Sequence, residues 1–282
     1  MCYASLAAGA ATPARVLALH CSGSSGAQWR HLQRTLGTNY SLVAPDLRRL
    51  DASNSQLVAE NLTLEQEVEL LLELVDRGSG KVHVVGHSYG GAVALRLALT
   101  RSDRVASLVL YEPSAFSLLH GMGQYGRLAA QEIQALATRV SDLVGNGFSQ
   151  RAAEQFVRYW GDDSTWATLR LDQQQELTQQ MALVVQHFHA LQVSSMCLED
   201  LQNLPMPTLV LRGGCSPTPS RLIACHLLAH LSDVKGACFS EAGHMGPVTH
   251  ADKVAHRMAR FIDACEEDGH SGRIEATGDA AA

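Results

Sequence analysis

Six short aliphatic runs recur along this chain, and they constrain its fold more than any other feature: Val16 to Leu19, Ser41 to Ala44, Val82 to Val85, Ala106 to Tyr111, Thr208 to Leu211 and Gly236 to Phe239. Each is bounded by turn residues and is continuous rather than alternating. Such runs suit strands buried on both faces of a parallel sheet. Helical patterns separate several of them. After Thr63, Gln66 can complete a capping box, and Val68, Leu71, Leu72 and Val75 fall on one helical face. A second helix is expected from about Gly91 to Thr100. This alternation predicts an α/β fold, a doubly wound and mostly parallel sheet with right-handed crossovers.

Strand signals vanish between Ser114 and about Leu204, where Gln, Ala and Leu dominate and Phe156, Tyr159, Trp160, Trp166 and Phe188 supply the aromatic residues. The expected organisation is a core of residues 15–113 and 205–265 carrying an inserted helical cap, residues 114–204, over one end of the sheet. Residues 1–14 and 266–282 are expected to be disordered tails, the second because it is polar, small and Gly-bearing. Ser5 to Ala14 lacks the basic flank and strong apolar centre of a secretory signal.

Apolar residues make up 46% of the 282 and charged residues 18%, which is the balance of a packed globular chain. The net charge is −6 and Lys and Arg are scattered, so neither nucleic acid nor an anionic membrane is an expected partner. No apolar run approaches the roughly 20 residues that span a bilayer. Seven cysteines without paired spacing fit a reducing compartment, and a cytoplasmic location is expected. His226 and His230, four apart on an expected helix, have no third ligand beside them, so no metal or other cofactor is expected.

Chemistry enters at Gly86-His-Ser88-Tyr-Gly90, between an expected strand and a helix rich in small residues. A sharp strand-to-helix turn lifts a serine hydroxyl clear of a sheet, and glycines two residues on either side relieve the crowding. The same turn aims the helix N-terminus at a developing anion. A serine hydroxyl needs an imidazole within reach to act as a nucleophile at neutral pH. Of thirteen histidines, His244 lies in the loop after the last expected strand, which brings it past the sheet edge where Ser88 emerges. His87, adjacent to the serine, reads as structural. His187 and His189 lie in the cap.

Gly86-His-Ser-Tyr-Gly-Gly91, Ala44-Pro-Asp46 and Ala242-Gly-His244 together resemble the α/β-hydrolase superfamily of esterases and related enzymes, from about Arg15 to Cys265. The resemblance implies oxyanion donors at the backbone N–H groups of Tyr89 and of Ser22, the latter in a loop where Cys21 stands in place of the usual Gly. It implies an Asp a few residues after the penultimate strand, where this chain has Ser216. Another acid is therefore expected to orient His244. Glu112, just past the strand that follows the nucleophile helix, is the preferred candidate, since some superfamily members draw their acid from that position. Asp46, Glu199, Asp200 and a dyad without an acid are the alternatives.

The expected activity is cofactor-free hydrolysis of a small to medium, uncharged, partly hydrophobic ester through an acyl-enzyme, in a pocket roofed by Phe116, Trp160 and Phe188. A Ser at position 88 argues against epoxide and haloalkane hydrolysis, which use an Asp there. Carbon–carbon bond hydrolysis of a ring-fission product and a non-catalytic ligand receptor on the same fold are the rival readings.

Overall fold

The computed structural model describes residues 13–48, 61–78, 80–162 and 164–278. The six aliphatic runs form β1 (Ala14–Leu19), β2 (Tyr40–Val43), β3 (Val82–His87), β4 (Val105–Tyr111), β5 (Thr208–Gly213) and β6 (Val234–Phe239). They make one sheet in the order β2-β1-β3-β4-β5-β6, and every pair is parallel. The chain leaves β1 to build β2 on one side, then crosses back to place β3 on the other. Between β1 and β3 the winding reverses, and in open parallel sheets ligands bind in the crevice outside the strand ends at such a switch point.

Side chains alternate across the sheet, so the central strands feed two cores at once. Leu17, Leu19, Val84, Leu108 and Leu110 pack into one cluster, while Val16, Ala18, Val85 and Val109 pack into the other. The first cluster is covered by α2 (Leu64–Asp76) and α3 (Tyr89–Thr100), the second by α1 (Arg30–Leu36) and α11 (Ala251–Gly278). At the start of α2, Thr63 Oγ1 accepts the Gln66 N–H and Gln66 Oε1 accepts the Thr63 N–H, closing the capping box. Burial on both faces holds for β1, β3, β4 and β5. The edge strands β2 and β6 are only half-buried, because each has a neighbour on one side alone.

Between β4 and β5 the chain is helical: α4 (Gly123–Gly145), α5 (Ser149–Trp160), α6 (Thr165–Thr168), α7 (Leu171–Val193) and α8 (Leu198–Gln202). Phe156, Trp160, Met181, Val184 and Phe188 from these helices belong to the same hydrophobic cluster as the β3 and β4 residues, so the helices pack as a continuation of the core. After β5, α9 (Thr218–His230) crosses to β6, and a short helix, α10 (Gly246–Thr249), precedes α11.

The two ends differ in what the structure describes. Past Cys265, α11 runs on to Gly278, into the segment where a tail is expected. Val254, Met258, Phe261 and Ile262 anchor that helix against the sheet, and a helix once nucleated extends at little cost per residue while no proline intervenes. The expectation of a disordered N-terminal tail falls largely on residues 1–12, outside the described residues.

Candidate active site

Ser88 is the residue between β3 and α3, and its backbone sits at φ 55°, ψ −117°, a conformation that a non-glycine residue rarely adopts. The surroundings over-determine it. The Ser88 N–H donates to the Tyr111 carbonyl at 3.1 Å, and the Ser88 carbonyl accepts the N–H groups of Ala92 and Ser114 at 3.1 and 3.0 Å. The flanking glycines admit no side chain. A Cβ at Gly86 would lie 2.5 Å from the Gly90 carbonyl oxygen, and one at Gly90 would lie 2.4 Å from the Leu19 carbonyl oxygen. Because these neighbours are backbone, Gly90→Ala is expected to destabilise the fold by about 1–3 kcal/mol or more, read as a lowered Tm in thermal unfolding.

Three side chains from three strand ends form a hydrogen-bonded line. Ser88 Oγ lies 2.9 Å from His244 Nε2, and His244 Nδ1 lies 2.7 Å from Glu112 Oε2. Glu112 Oε1 accepts the Gly213 N–H at 2.7 Å. All three residues are buried, Glu112 fully. Glu112 itself has φ 44°, the second non-glycine residue with positive φ among those described, and its own N–H is tied to the Leu211 carbonyl at 3.0 Å. Its carboxylate fixes the imidazole tautomer: Nδ1–H donates to Glu112, leaving Nε2 to accept the Ser88 O–H. Ser114 Oγ stands 3.1 Å from Ser88 Oγ on its other side.

The loop bearing His244 is clamped at its carbonyls. Tyr111 Oη–H donates to the Gly243 carbonyl at 2.8 Å, and His87 Nε2–H donates to the His244 carbonyl at 2.9 Å. His87 Nδ1 accepts from Gln28 Nε2 at 3.0 Å, and Gln28 Oε1 accepts the Cys21 N–H at 3.2 Å. Burial holds the His87 imidazole well below its usual pKa, so it stays neutral with its proton on Nε2. This bracing through Gln28, Tyr111 and Ser114 was not foreseen from the sequence. None of those side chains belongs to a motif, and only the fold brings Gln28 beside His87.

The alternative acids lie elsewhere. Asp46 Oδ1 accepts the Gly26 N–H at 2.7 Å and braces that loop, Asp200 accepts from the Cys197 thiol, and Glu199 sits in the first turn of α8. Ser216 is buried and its hydroxyl has no hydrogen-bond partner. Cys21 is buried too, and burial pushes its thiol up to about 12, which disfavours the reactive thiolate.

Above the line lies a cavity walled by Ser22, Ser88, Ser114, Phe116, Phe156, Trp160, Val184, His187, Phe188 and Leu191. Its free room of ≈ 10 Å³ suits about one water molecule. Ser22 stands on the turn after β1, and Tyr89 opens α3, where a helix N–H has no partner of its own within the helix. The Trp160 ring covers the His244 imidazole at 4.2 Å between centroids. His189 is turned to the Leu62 carbonyl at 3.2 Å, outside that wall. His226 and His230 contact each other, and no group of three metal-binding side chains occurs among the described residues.

His187 is buried and held at about 3, by desolvation first and then by the nearby His20. A histidine in the unfolded chain titrates near 6.5. Below that pH the unfolded state therefore binds a proton that the folded state refuses, and stability falls as pH drops from about 6.5 toward 3. A melting series from pH 7.5 to 5 is expected to show this loss, on the order of 1 kcal/mol per pH unit in its lower part, and a shallower slope in His187→Phe.

Residues 16–257 match the family model described as the Alpha/beta hydrolase family. Among curated proteins, 107 residues, 38% of this chain and 40% of the relative, are 43% identical to Lipase LipV of Mycobacterium tuberculosis. A stretch covering 39% of this chain and 41% of the relative is 29% identical to the 2-hydroxy-6-oxo-6-phenylhexa-2,4-dienoate hydrolase of Burkholderia cepacia. The chain spans less than half the length of these relatives. Among solved structures, it is similar to MenH from S. aureus (TM-score 0.71, 18% identity, 92% of this chain and 97% of that one). It is also similar to the esterase EaEST from Exiguobacterium antarcticum (TM-score 0.70, 16% identity, 89% and 92%). At these identities the structures speak to the fold.

Proposed function

Because this chain belongs to the Alpha/beta hydrolase family, we propose that it is a hydrolase that cleaves a small to medium, uncharged, partly hydrophobic ester through an acyl-enzyme on Ser88. The observation that carries this reading is the line from Glu112 through His244 to Ser88, at 2.7 and 2.9 Å, ending in a cavity with aromatic, aliphatic and serine walls. Ser88 Oγ attacks the carbonyl carbon as His244 Nε2 takes its proton, and Glu112 orients the imidazole and stabilises its cationic form. The N–H groups of Ser22 and Tyr89 receive the oxyanion, each contributing on the order of 3 kcal/mol in the transition state. His244 then returns the proton to the leaving alcohol, and water, deprotonated by the same imidazole, releases the acid.

The lining favours an uncharged substrate, for it contains aromatic and aliphatic walls with three serines and a histidine but no Lys or Arg. A carboxylate buried there would lie without a cationic partner, at a large desolvation cost. That weighs against a ring-fission dienoate, the class printed in the name of the Burkholderia relative, as substrate. The free room of ≈ 10 Å³ is smaller than an acyl group, so binding one requires lining side chains to shift. The partner at this pocket is then a small-molecule substrate. A cytoplasmic setting is supported by cysteines without paired spacing, of which the six described are free thiols, and no described helix is long and apolar enough to cross a membrane.

The reading is tested by mixing the protein with nitrophenyl butyrate and, separately, with a ring-fission dienoate. A burst of about one equivalent of nitrophenol, with the acyl group found on Ser88 by mass spectrometry, is expected. Turnover of the dienoate alone would select carbon–carbon hydrolysis, and turnover of neither would favour a ligand receptor.

A further inference from the structure

The cap brings one imidazole into a cavity otherwise walled by aromatic and aliphatic side chains and serine hydroxyls. His187, on α7, is fixed in two independent ways. Its Nδ1 lies 2.9 Å from Ser22 Oγ, and its ring stacks on Tyr89 at 3.8 Å between centroids with planes 17° apart. Tyr89 is itself pinned, because its hydroxyl donates to the buried Glu67 carboxylate at 3.3 Å. The orientation of the imidazole is therefore set before any ligand arrives.

What these contacts leave over is Nε2, which is buried and has no hydrogen-bond partner. Native structures pair the great majority of buried polar atoms, and an unpaired one is destabilising. An apolar side chain at 187 would fill the same space without that cost. Ligand sites pair mostly apolar walls with a few preset polar groups that fix orientation, and His187 shares this wall with Ser88. Its two supports, Ser22 and Tyr89, are the residues whose N–H groups we assign to the oxyanion.

We propose that His187 Nε2 is a specificity-determining contact that hydrogen-bonds a second, uncharged oxygen of the substrate, a hydroxyl or carbonyl close to the scissile carbonyl. This rests on the ester-hydrolase reading and narrows its substrate class to oxygenated esters. As a neutral imidazole the group can donate or accept according to the tautomer that Ser22 selects, so it suits either oxygen. A site built around a buried polar atom discriminates strongly against an analogue that leaves the atom unpaired.

Two ester pairs test this and tell on which side of the ester the oxygen lies. Nitrophenyl 3-hydroxybutyrate is compared with nitrophenyl butyrate for the acyl side, and 2-hydroxyethyl butyrate with propyl butyrate for the alcohol side. The parent is expected to favour the oxygenated member of one pair at least tenfold in kcat/KM, and His187→Phe to bring that ratio to within about threefold of one. His187→Met serves the same comparison if circular dichroism shows that His187→Phe is unfolded. A parent that discriminates in neither pair, or a preference that survives in the variants, overturns the proposal. Dissociation constants for the same four esters on Ser88→Ala, read by tryptophan fluorescence, give the ratio without turnover. If a fluorophosphonate probe leaves Ser88 unlabelled the hydrolase reading fails by itself, while the binding ratios still decide the role of His187.

Discussion

Replacing Ser88 by alanine is expected to lower kcat for ester hydrolysis by about 10⁶-fold while leaving the fold in place. The size follows from what remains. Without the hydroxyl no acyl-enzyme forms, and only binding and the oxyanion donors act on direct attack by water, which in dissected serine hydrolases leaves roughly 10³- to 10⁴-fold over the uncatalysed reaction. The fold survives because the unusual backbone at 88 is held by main-chain bonds to Tyr111, Ala92 and Ser114, none of which involves the side chain. Alanine has the same Cβ as serine and meets the same crowding. The bonds lost are those to His244 and Ser114, each worth about 0.5–1.5 kcal/mol. Activity against nitrophenyl butyrate and the Tm of the same sample separate the two effects: a near-normal Tm with no turnover is the expected pair of results.

Glu112→Gln is expected to cost roughly 10²- to 10⁴-fold in kcat with little change in KM. Glutamine fits the same space, and its carbonyl oxygen can still accept the Gly213 N–H. The other end then carries an NH₂ where His244 Nδ1 lies 2.7 Å away. An amide donor there forces Nδ1 to accept, so the proton moves to Nε2, and a protonated Nε2 cannot take the Ser88 proton. The imidazolium formed in the transition state also loses its counter-charge. A pH–rate profile of kcat/KM for parent and variant records the change, and a variant with parental rates would exclude Glu112 from the reaction.

Much of this was legible in the sequence, for identifiable reasons. Aliphatic runs that must be buried on both faces can only be inner strands of a parallel sheet, so β1, β3, β4 and β5 could be read directly. Gly86, Ser88 and Gly90 were legible because a strand-to-helix turn tolerates so few residues. Glu112 was reachable once its strand was known, since parallel strands end at one edge. The run around β2 misled where it implied full burial, because hydropathy does not say which strand will be last in the sheet. The contact between His187 and Ser22 spans 165 residues, and no periodicity reports how a cap helix is set down on a sheet. The clamp on the His244 loop was equally hidden, as its acceptors are backbone carbonyls of Gly243 and His244, which carry no sequence signature.

The central claim is that Ser88 is a nucleophile activated through His244 by a carboxylate at Glu112. The most direct test is the rate at which a fluorophosphonate modifies the protein, with the labelled peptide identified, in the parent and in Glu112→Gln. This reads nucleophile activation without knowledge of the substrate. The expected result is a single label on Ser88 in the parent and modification at least 100-fold slower in the variant. A label on another residue, no label in the parent, or equal rates in the two proteins would contradict the account.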